Sequence, residues 1–293
     1  MGERGKKLYK YRYFYIMFVP VFLGLFVFHY LPMVGVLYSF TEYTPFSVPT
    51  FIGMENFKTL FQSRAFWRAF GNTVEISFLN LILNLVCSVG LALLIDEIAS
   101  RKFRMVTQTI VYIPHFISWV VVASIFTMFL SPKNGMINKL IEMAGGEAVY
   151  FLANEKWWRP VFYFISRWKE TGWGTIIFIA ALMGIDQEMY EAAKIDGANG
   201  WKTFWKITVP LLKPTIIMTF IMSINGTLQL FDESVNLTKG GPANSTITMS
   251  HYVYNTCFIN VPNFGYASAM SFLIFIMVAV LAFINLKVGD TRD

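Results

Sequence analysis

Apolar residues gather into six runs along this chain, separated by intervals rich in Lys, Arg, Asn, Gly and Pro. The runs lie near 13–39, 72–95, 106–130, 163–185, 212–231 and 266–286. A helix needs about 20 such residues to cross a ~30 Å hydrocarbon core. The pattern therefore predicts an all-α membrane protein with six transmembrane helices. The fourth run is the least apolar, and Arg167, Lys169 and Glu170 are expected in its outer turns. In the second run Thr73, Ser77, Asn80, Asn84 and Ser88 recur every three or four residues, which places them on one helical face. Amides in hydrocarbon need partners, so this face should look into the bundle, as interhelical glue or as part of a translocation path.

Lys and Arg beside the runs set the orientation. The N-terminus (Arg4, Lys6, Lys7, Lys10, Arg12), the 96–105 loop (Arg101, Lys102, Arg104), the central loop (Lys194, Lys202, Lys206, Lys213) and the tail (Lys287, Arg292) share one side. That side is assigned to the cytoplasm, with both termini in it. The chain then divides into a cytoplasmic lead, 1–12, a first transmembrane helix with its outer segment, 13–71, a core of five helices, 72–286, and a tail, 287–293. Between Asn56 and Phe70 an amphipathic piece fits a short helix at the membrane surface. Pro114 predicts a kink in the third run. MINKLIEMA, from Met136, predicts a structured outer segment that serves as a lid, a landing surface for another protein, or a plain interfacial helix.

Composition changes little in this picture. The chain is 55% hydrophobic and 14% charged, where a soluble domain carries roughly a quarter charged residues. Its net charge of +6 follows from the one-sided basic loops and does not call for nucleic acid. The first run is too long for a cleaved leader's core and reads as a retained span. Cys87 and Cys257 are expected at different depths, and His29, His115 and His251 are scattered, so no metal site is expected.

The central polar interval reads EAAKIDGANGWKTFWKITVP, Glu191 to Pro210. Ala192 and Ala193 keep one face small for close approach, Gly197 permits a turn between two short helices, and Glu191 and Asp196 offer acceptors. This spacing resembles the EAA loop of ABC importer permeases, E-A-A-x3-G-x9-I-x-L-P, with Val209 in place of Leu. Asp196-Gly197-Ala198, the LTKGGPANST stretch from Leu237 to Thr246, Tyr112 to Trp119, and Phe264 to Ala267 are similar to the carbohydrate-uptake class, in its oligosaccharide and polysaccharide-fragment subgroup. The resemblance implies the MetI-like fold, with six helices and a cytoplasmic coupling loop at 187–210. It also implies a second homologous permease subunit, two cytoplasmic ATPase subunits and an extracytoplasmic solute-binding protein. Membrane lipid surrounds such a chain, and a carbohydrate passes through it.

No G-x4-G-K-[ST] motif is present. The chain is therefore expected to bind no cofactor, with ATP bound by a separate subunit, and not to be an enzyme. An ion-coupled secondary sugar transporter is the alternative, but such proteins place ionisable groups within the membrane, and these spans read as polar through Asn, Ser and Thr. A membrane transferase acting on lipid-linked sugars would need acidic clusters at one face, where only Asp96-Glu97 stands beside a span. For the sugar path, Thr215, Thr219, Ser223, Gly226, Gln229 and Glu233 fall within a sector about 120° wide on the fifth helix. Asn225 and Gln229 are the favoured contacts, with Ser223, Thr219, Asn84 and Asn80 deeper, because amides both donate and accept. Packing against the partner permease is the competing role for this stripe.

Overall fold

The computed structural model describes residues 10–228 and 230–290, without the side chains at 225, 227, 286 and 288–290. In chain order its main helices are α1 (Arg12–Leu25), α2 (Glu55–Gln62), α3 (Arg64–Asp96), α4 (Arg101–Tyr112), α5 (Trp119–Phe129) and α6 (Met136–Met143). There follow α7 (Trp158–Met183), α8 (Gln187–Ile195), α9 (Val209–Thr227), α10 (Met249–Tyr254) and α11 (Phe264–Asp290). The chain forms two units: one is the chain up to Ser63 with Val253–Phe275, the other Arg64–Tyr252 with Ile276 onward.

In the first unit α1 continues through a wide turn at Phe26–Tyr30 and a tight one at Val34–Phe40, giving an apolar span, Arg12–Phe40. A two-stranded antiparallel ribbon follows, with Thr41 opposite Phe51 and Glu42 opposite Thr50. Asn56 Nδ2 closes it by donating to the carbonyls of Ser39 (3.0 Å) and Thr41 (2.8 Å). The Phe57 ring packs on Phe40 and, edge-on, on Phe272. The surface helix expected over Asn56–Phe70 is in fact split. Ser63 adopts an extended ψ of 120° and ends α2, and Phe66, Trp67 and Phe70 belong to the first turns of α3.

The second unit is built on α3 and α7, which pack along one another. One core gathers Ile76, Val122, Ala123, Trp158, Phe162 and Ile165. Another gathers Ala92, Ile95, Phe178, Ile179, Leu182 and Leu212. Lipid is as apolar as these side chains, so close packing and interhelical hydrogen bonds carry the association. Gly172 shows the closeness, since a Cβ there would run into the Val111 carbonyl of α4.

The expected six transmembrane helices are not reproduced as six uninterrupted apolar spans. Among the described residues, Arg12–Phe40, Arg64–Asp96, Gly200–Ile224 and Phe264–Asn285 are long and apolar enough to cross a membrane. The third run is broken: α4 with its 3-10 turn Ile113–Phe116 meets α5 at 99°. Pro114 supplies no amide hydrogen, Ile117 is extended, and Ser118 starts α5 by accepting from the Val121 N–H. The sequence foresaw a kink, whereas the outcome is a corner. The fourth run also differs. α7 starts at Trp158, ahead of the apolar stretch, so Arg167, Lys169 and Glu170 fall near its middle and not in its outer turns. The spans are therefore not nearly free of charge.

Candidate functional site

The loop after α7 is held by local bonds. Asp186 caps α8 by accepting from the Glu188 N–H at 3.0 Å. At the other end Gly197 has φ of +69°, with its N–H on the Lys194 carbonyl (3.1 Å) and the Ala198 N–H on the Ala193 carbonyl (2.9 Å). This left-handed closure satisfies orphan helix carbonyls and suits a residue without Cβ. Asn199 then caps the turn Gly200–Thr203 by accepting from the Lys202 N–H at 2.9 Å. A wide turn, Phe204–Thr208, leads directly into α9 and accommodates the missing N–H of Pro210, leaving Pro214 inside the helix. The Tyr190 hydroxyl meets Thr208 Oγ1 at 3.2 Å and ties the two limbs together.

Glu191, Ala192, Asp196 and Gly197 are exposed, whereas Ala193 is buried within the chain. The small face expected of the alanine pair is thus divided: Ala192 faces outward and Ala193 inward. The outward surface also carries large apolar groups that the sequence reading did not single out. Ile195 is 87% exposed and Trp201 70%, with Trp205 edge-on to Trp201 at 5.8 Å. An isoleucine and a tryptophan flanking the Asp196-Gly197 turn were the available signal.

The polar residues of α3 face inward, as their spacing required. Thr73 Oγ1 accepts from the Met249 N–H (2.8 Å), and Ser88 Oγ donates to the Thr171 carbonyl (3.3 Å). Asn80 is buried and accepts from Arg167 Nη2 at 2.9 Å. Asn84, Thr219 and Ser223 come together with Ser88 and Gly174 around a cavity of about 10 Å³ between α3, α7 and α9, room for one water. The fifth-helix stripe is shorter than expected, since α9 ends at Thr227 and Glu233 lies beyond it, before the separate turn Ser234–Thr238. Gln229 and the side chain of Asn225 lie outside the described residues.

Charged groups missed as a set line the α3–α7 contact and the corner. Arg159 clasps both carboxylate oxygens of Glu75. Lys169, 4% exposed, donates to the His115 carbonyl (2.8 Å) and lies 3.1 Å from Glu170, whose other oxygen meets His115 Nδ1 at 2.8 Å. The His115 ring stacks flat on Trp173 at 4.6 Å.

The LTKGGPANST loop folds around a buried histidine. Ser234 Oγ donates to the Thr246 carbonyl, so at its 2.7 Å contact with His251 it accepts from Nδ1–H. Burial pushes the His251 pKa below its ordinary value. Both cysteines are free, and no cluster among the described residues has metal-binding composition.

Residues 84–289 match the family described as binding-protein-dependent transport system inner membrane component. Protein LplB of Bacillus subtilis is 41% identical over 229 residues, 77% of this chain and 72% of that protein. The polygalacturonan/rhamnogalacturonan transport system permease YteP of the same organism is 37% identical over 268 residues, 90% of this chain and 83% of that protein. A bacterial ABC transporter importing the acidic polysaccharide alginate is 32% identical with a TM-score of 0.88, over 98% of both chains. A structure of a bacterial alginate transporter in complex with a periplasmic protein carrying an alginate pentasaccharide matches with 33% identity and a TM-score of 0.87, over 96% of this chain and 94% of that one. Broken third span, inward polar face and capped loop thus occur in a chain that belongs to the binding-protein-dependent transport system inner membrane component family.

Proposed function

We propose that this chain is the permease subunit of an ATP-driven, binding-protein-dependent importer of oligosaccharides, and that α8 with the turn after it docks into a separate ATPase. The observation that carries the coupling reading is the capped loop. It is capped at its helix ends, yet presents Ile195 and Trp201 outward beside Glu191 and Asp196. Apolar groups exposed in a polar loop mark a protein contact, and an aromatic anchor ringed by polar groups is how such contacts concentrate their energy. Both termini share the cytoplasmic side with this loop. The assembly comprises this chain, a second similar permease, two ATPases and an extracytoplasmic binding protein. The sugar path runs past Asn80, Asn84, Thr219 and Ser223, with Asn225 and Gln229 kept as candidate contacts from the sequence alone, and ATP is held elsewhere.

The sugar assignment draws on relatives that serve polygalacturonan, rhamnogalacturonan and alginate. The deciding experiment is reconstitution of the complex in liposomes, with and without its ATPase. Uptake of a labelled oligosaccharide should require the ATPase, ATP and the binding protein. The mid-helix Lys169–Glu170–His115 group is the one feature favouring ion-coupled transport instead. Uptake by this chain without the ATPase, abolished by a protonophore, would establish that reading.

A further inference from the structure

Among the described residues, seven buried side-chain polar atoms lack a hydrogen-bond partner within the chain, and six of them lie on the contact between α3 and α7. They are Asn84 Oδ1, the Tyr163 hydroxyl, Ser166 Oγ, Thr171 Oγ1, and Nε and Nη1 of Arg167. Positions 163, 166, 167 and 171 share one face of α7, and 80 and 84 share one face of α3. Buried polar groups are normally paired, and an orphan in a membrane span costs more than one in a soluble core. Together these atoms offer donors and acceptors to a hydrogen-bonding ligand.

Charge narrows the ligand. By the ~1.5 Å rise per residue, Arg167 stands roughly 14 Å along α7 from Trp158, well inside the helix. The other ionic groups on this contact and at the corner are matched: Arg159 by Glu75, and Lys169 by Glu170. Arg167 has only the neutral amide of Asn80, at 2.9 Å. Glu170 and Glu233 both act on Arg167 but neither forms a salt bridge with it, and Glu170 is engaged with Lys169 and His115. Guanidinium favours planar carboxylates. With no carboxylate of the described residues in salt-bridge contact, the guanidinium of Arg167 is open to an anion from outside the chain.

We infer that the α3–α7 strip is part of the sugar path and that Arg167 is its carboxylate-reading group, so the oligosaccharides carried by this chain contain uronic acid residues. This rests on the carbohydrate-importer reading and names its substrate class. Tyr163, Ser166, Thr171 and Asn84 supply neutral contacts to ring hydroxyls, while Arg167 takes the carboxylate. In this conformation the strip is sealed, with only the water-sized cavity beside Asn84, so loading accompanies a parting of the helices. This chain is similar to a transporter importing the acidic polysaccharide alginate and to the polygalacturonan/rhamnogalacturonan permease YteP.

The test uses the reconstituted complex with its binding protein, offered labelled trigalacturonate, the same trimer as its methyl ester, or maltotriose. Binding-protein affinity is measured separately, so that only the permease step is compared. The wild type should move trigalacturonate at least tenfold faster than the ester. Arg167→Gln should lose at least tenfold on the acid while the complex stays assembled, and Arg167→Lys should recover part. In a chain carrying Cys87→Ala and Cys257→Ala, Thr171→Cys should react with a hydrophilic thiol reagent during turnover and be shielded by trigalacturonate but not by the ester. ATP-dependent uptake of maltotriose without the acid overturns the uronate inference but leaves the carbohydrate reading standing. No ATP-dependent uptake of any of the three sugars defeats that reading itself. Undiminished uptake of the acid by Arg167→Gln also overturns the inference. If Arg167→Gln instead disrupts assembly, the arginine pairs with the partner permease, and lack of shielding at position 171 settles the matter against a path.

Discussion

The loop at 187–210 and the α3–α7 contact are both polar, and they use polarity in opposite ways. In the loop nearly every polar group is spent locally. Asp186, Asn199 and the carbonyls at 193 and 194 bond within five residues, and the outward face is left to Glu191, Ile195 and Trp201. On the helix contact the partners are some 85 residues apart in sequence: Glu75 with Arg159, and Asn80 with Arg167. The loop can keep its shape while a partner leaves or returns. The contact instead sets how two spans sit. Substitutions should separate the two: those at Lys169 and Gly172 lower stability, and those in the loop uncouple transport from a chain that remains folded.

The largest effect is expected at Lys169. Lys169→Met strands the His115 carbonyl and one oxygen of Glu170, and losing one partner of a buried pair costs about 3–5 kcal/mol. Thermal unfolding in detergent should show it. The double variant Lys169→Met with Glu170→Gln should be less destabilised than the sum of the single changes. Next comes Gly172→Ala, whose methyl meets the Val111 carbonyl. Forced repacking of that kind costs about 1–3 kcal/mol, and the same melt reads it.

The loop supplies the counterpart. At Gly197 a Cβ meets nothing within 4 Å, so the cost is confined to positive φ, about 1–2 kcal/mol for an L-residue. Gly197→Ala should leave the chain's melting temperature in place while ATP-driven uptake falls about tenfold, in step with the lost fraction of docking-competent loop. Gly197→Val, β-branched, should lose more. A drop in melting temperature as large as that of Gly172→Ala would break the distinction between the two regions.

A smaller, pH-dependent effect is expected near His251. Its folded pKa lies below the ordinary 6.5, so the unfolded chain takes up the proton first. The stability contributed by the neutral ring is present above about pH 6.5 and is lost as pH falls toward the folded pKa, by at most ~1.4 kcal/mol per unit. Melting curves from pH 7.5 to 5.5 should show the decline, and His251→Gln should flatten it.

How much was legible follows from the same contrast. Spacing within a contiguous segment shows in one dimension, so the Glu191-Ala192-Ala193-x3-Gly197 pattern located the loop and its left-handed turn. The apolar runs likewise located four apolar spans and the broken third one. Long-range pairing does not show in this way. Nothing near Lys169 announces that its amine reaches the carbonyl of His115, and a hydropathy window sees three charges only as a reason to shorten the span. Ala193 illustrates a finer limit, since adjacent residues on a helix lie 100° apart and only packing tells which one faces inward.

The corner in the third span has a mechanical consequence. A bend of 99° in a bilayer would ordinarily be a slack joint, with freed backbone groups seeking any donor. Here the amine of Lys169 is pinned to the carbonyl of His115, and the ring of that residue lies flat on Trp173, so α7 splints the elbow from the side. The bend of this span is therefore tied directly to α7. Under the proposed coupling, a push on the loop immediately after α7 would pass along that helix to the elbow it holds.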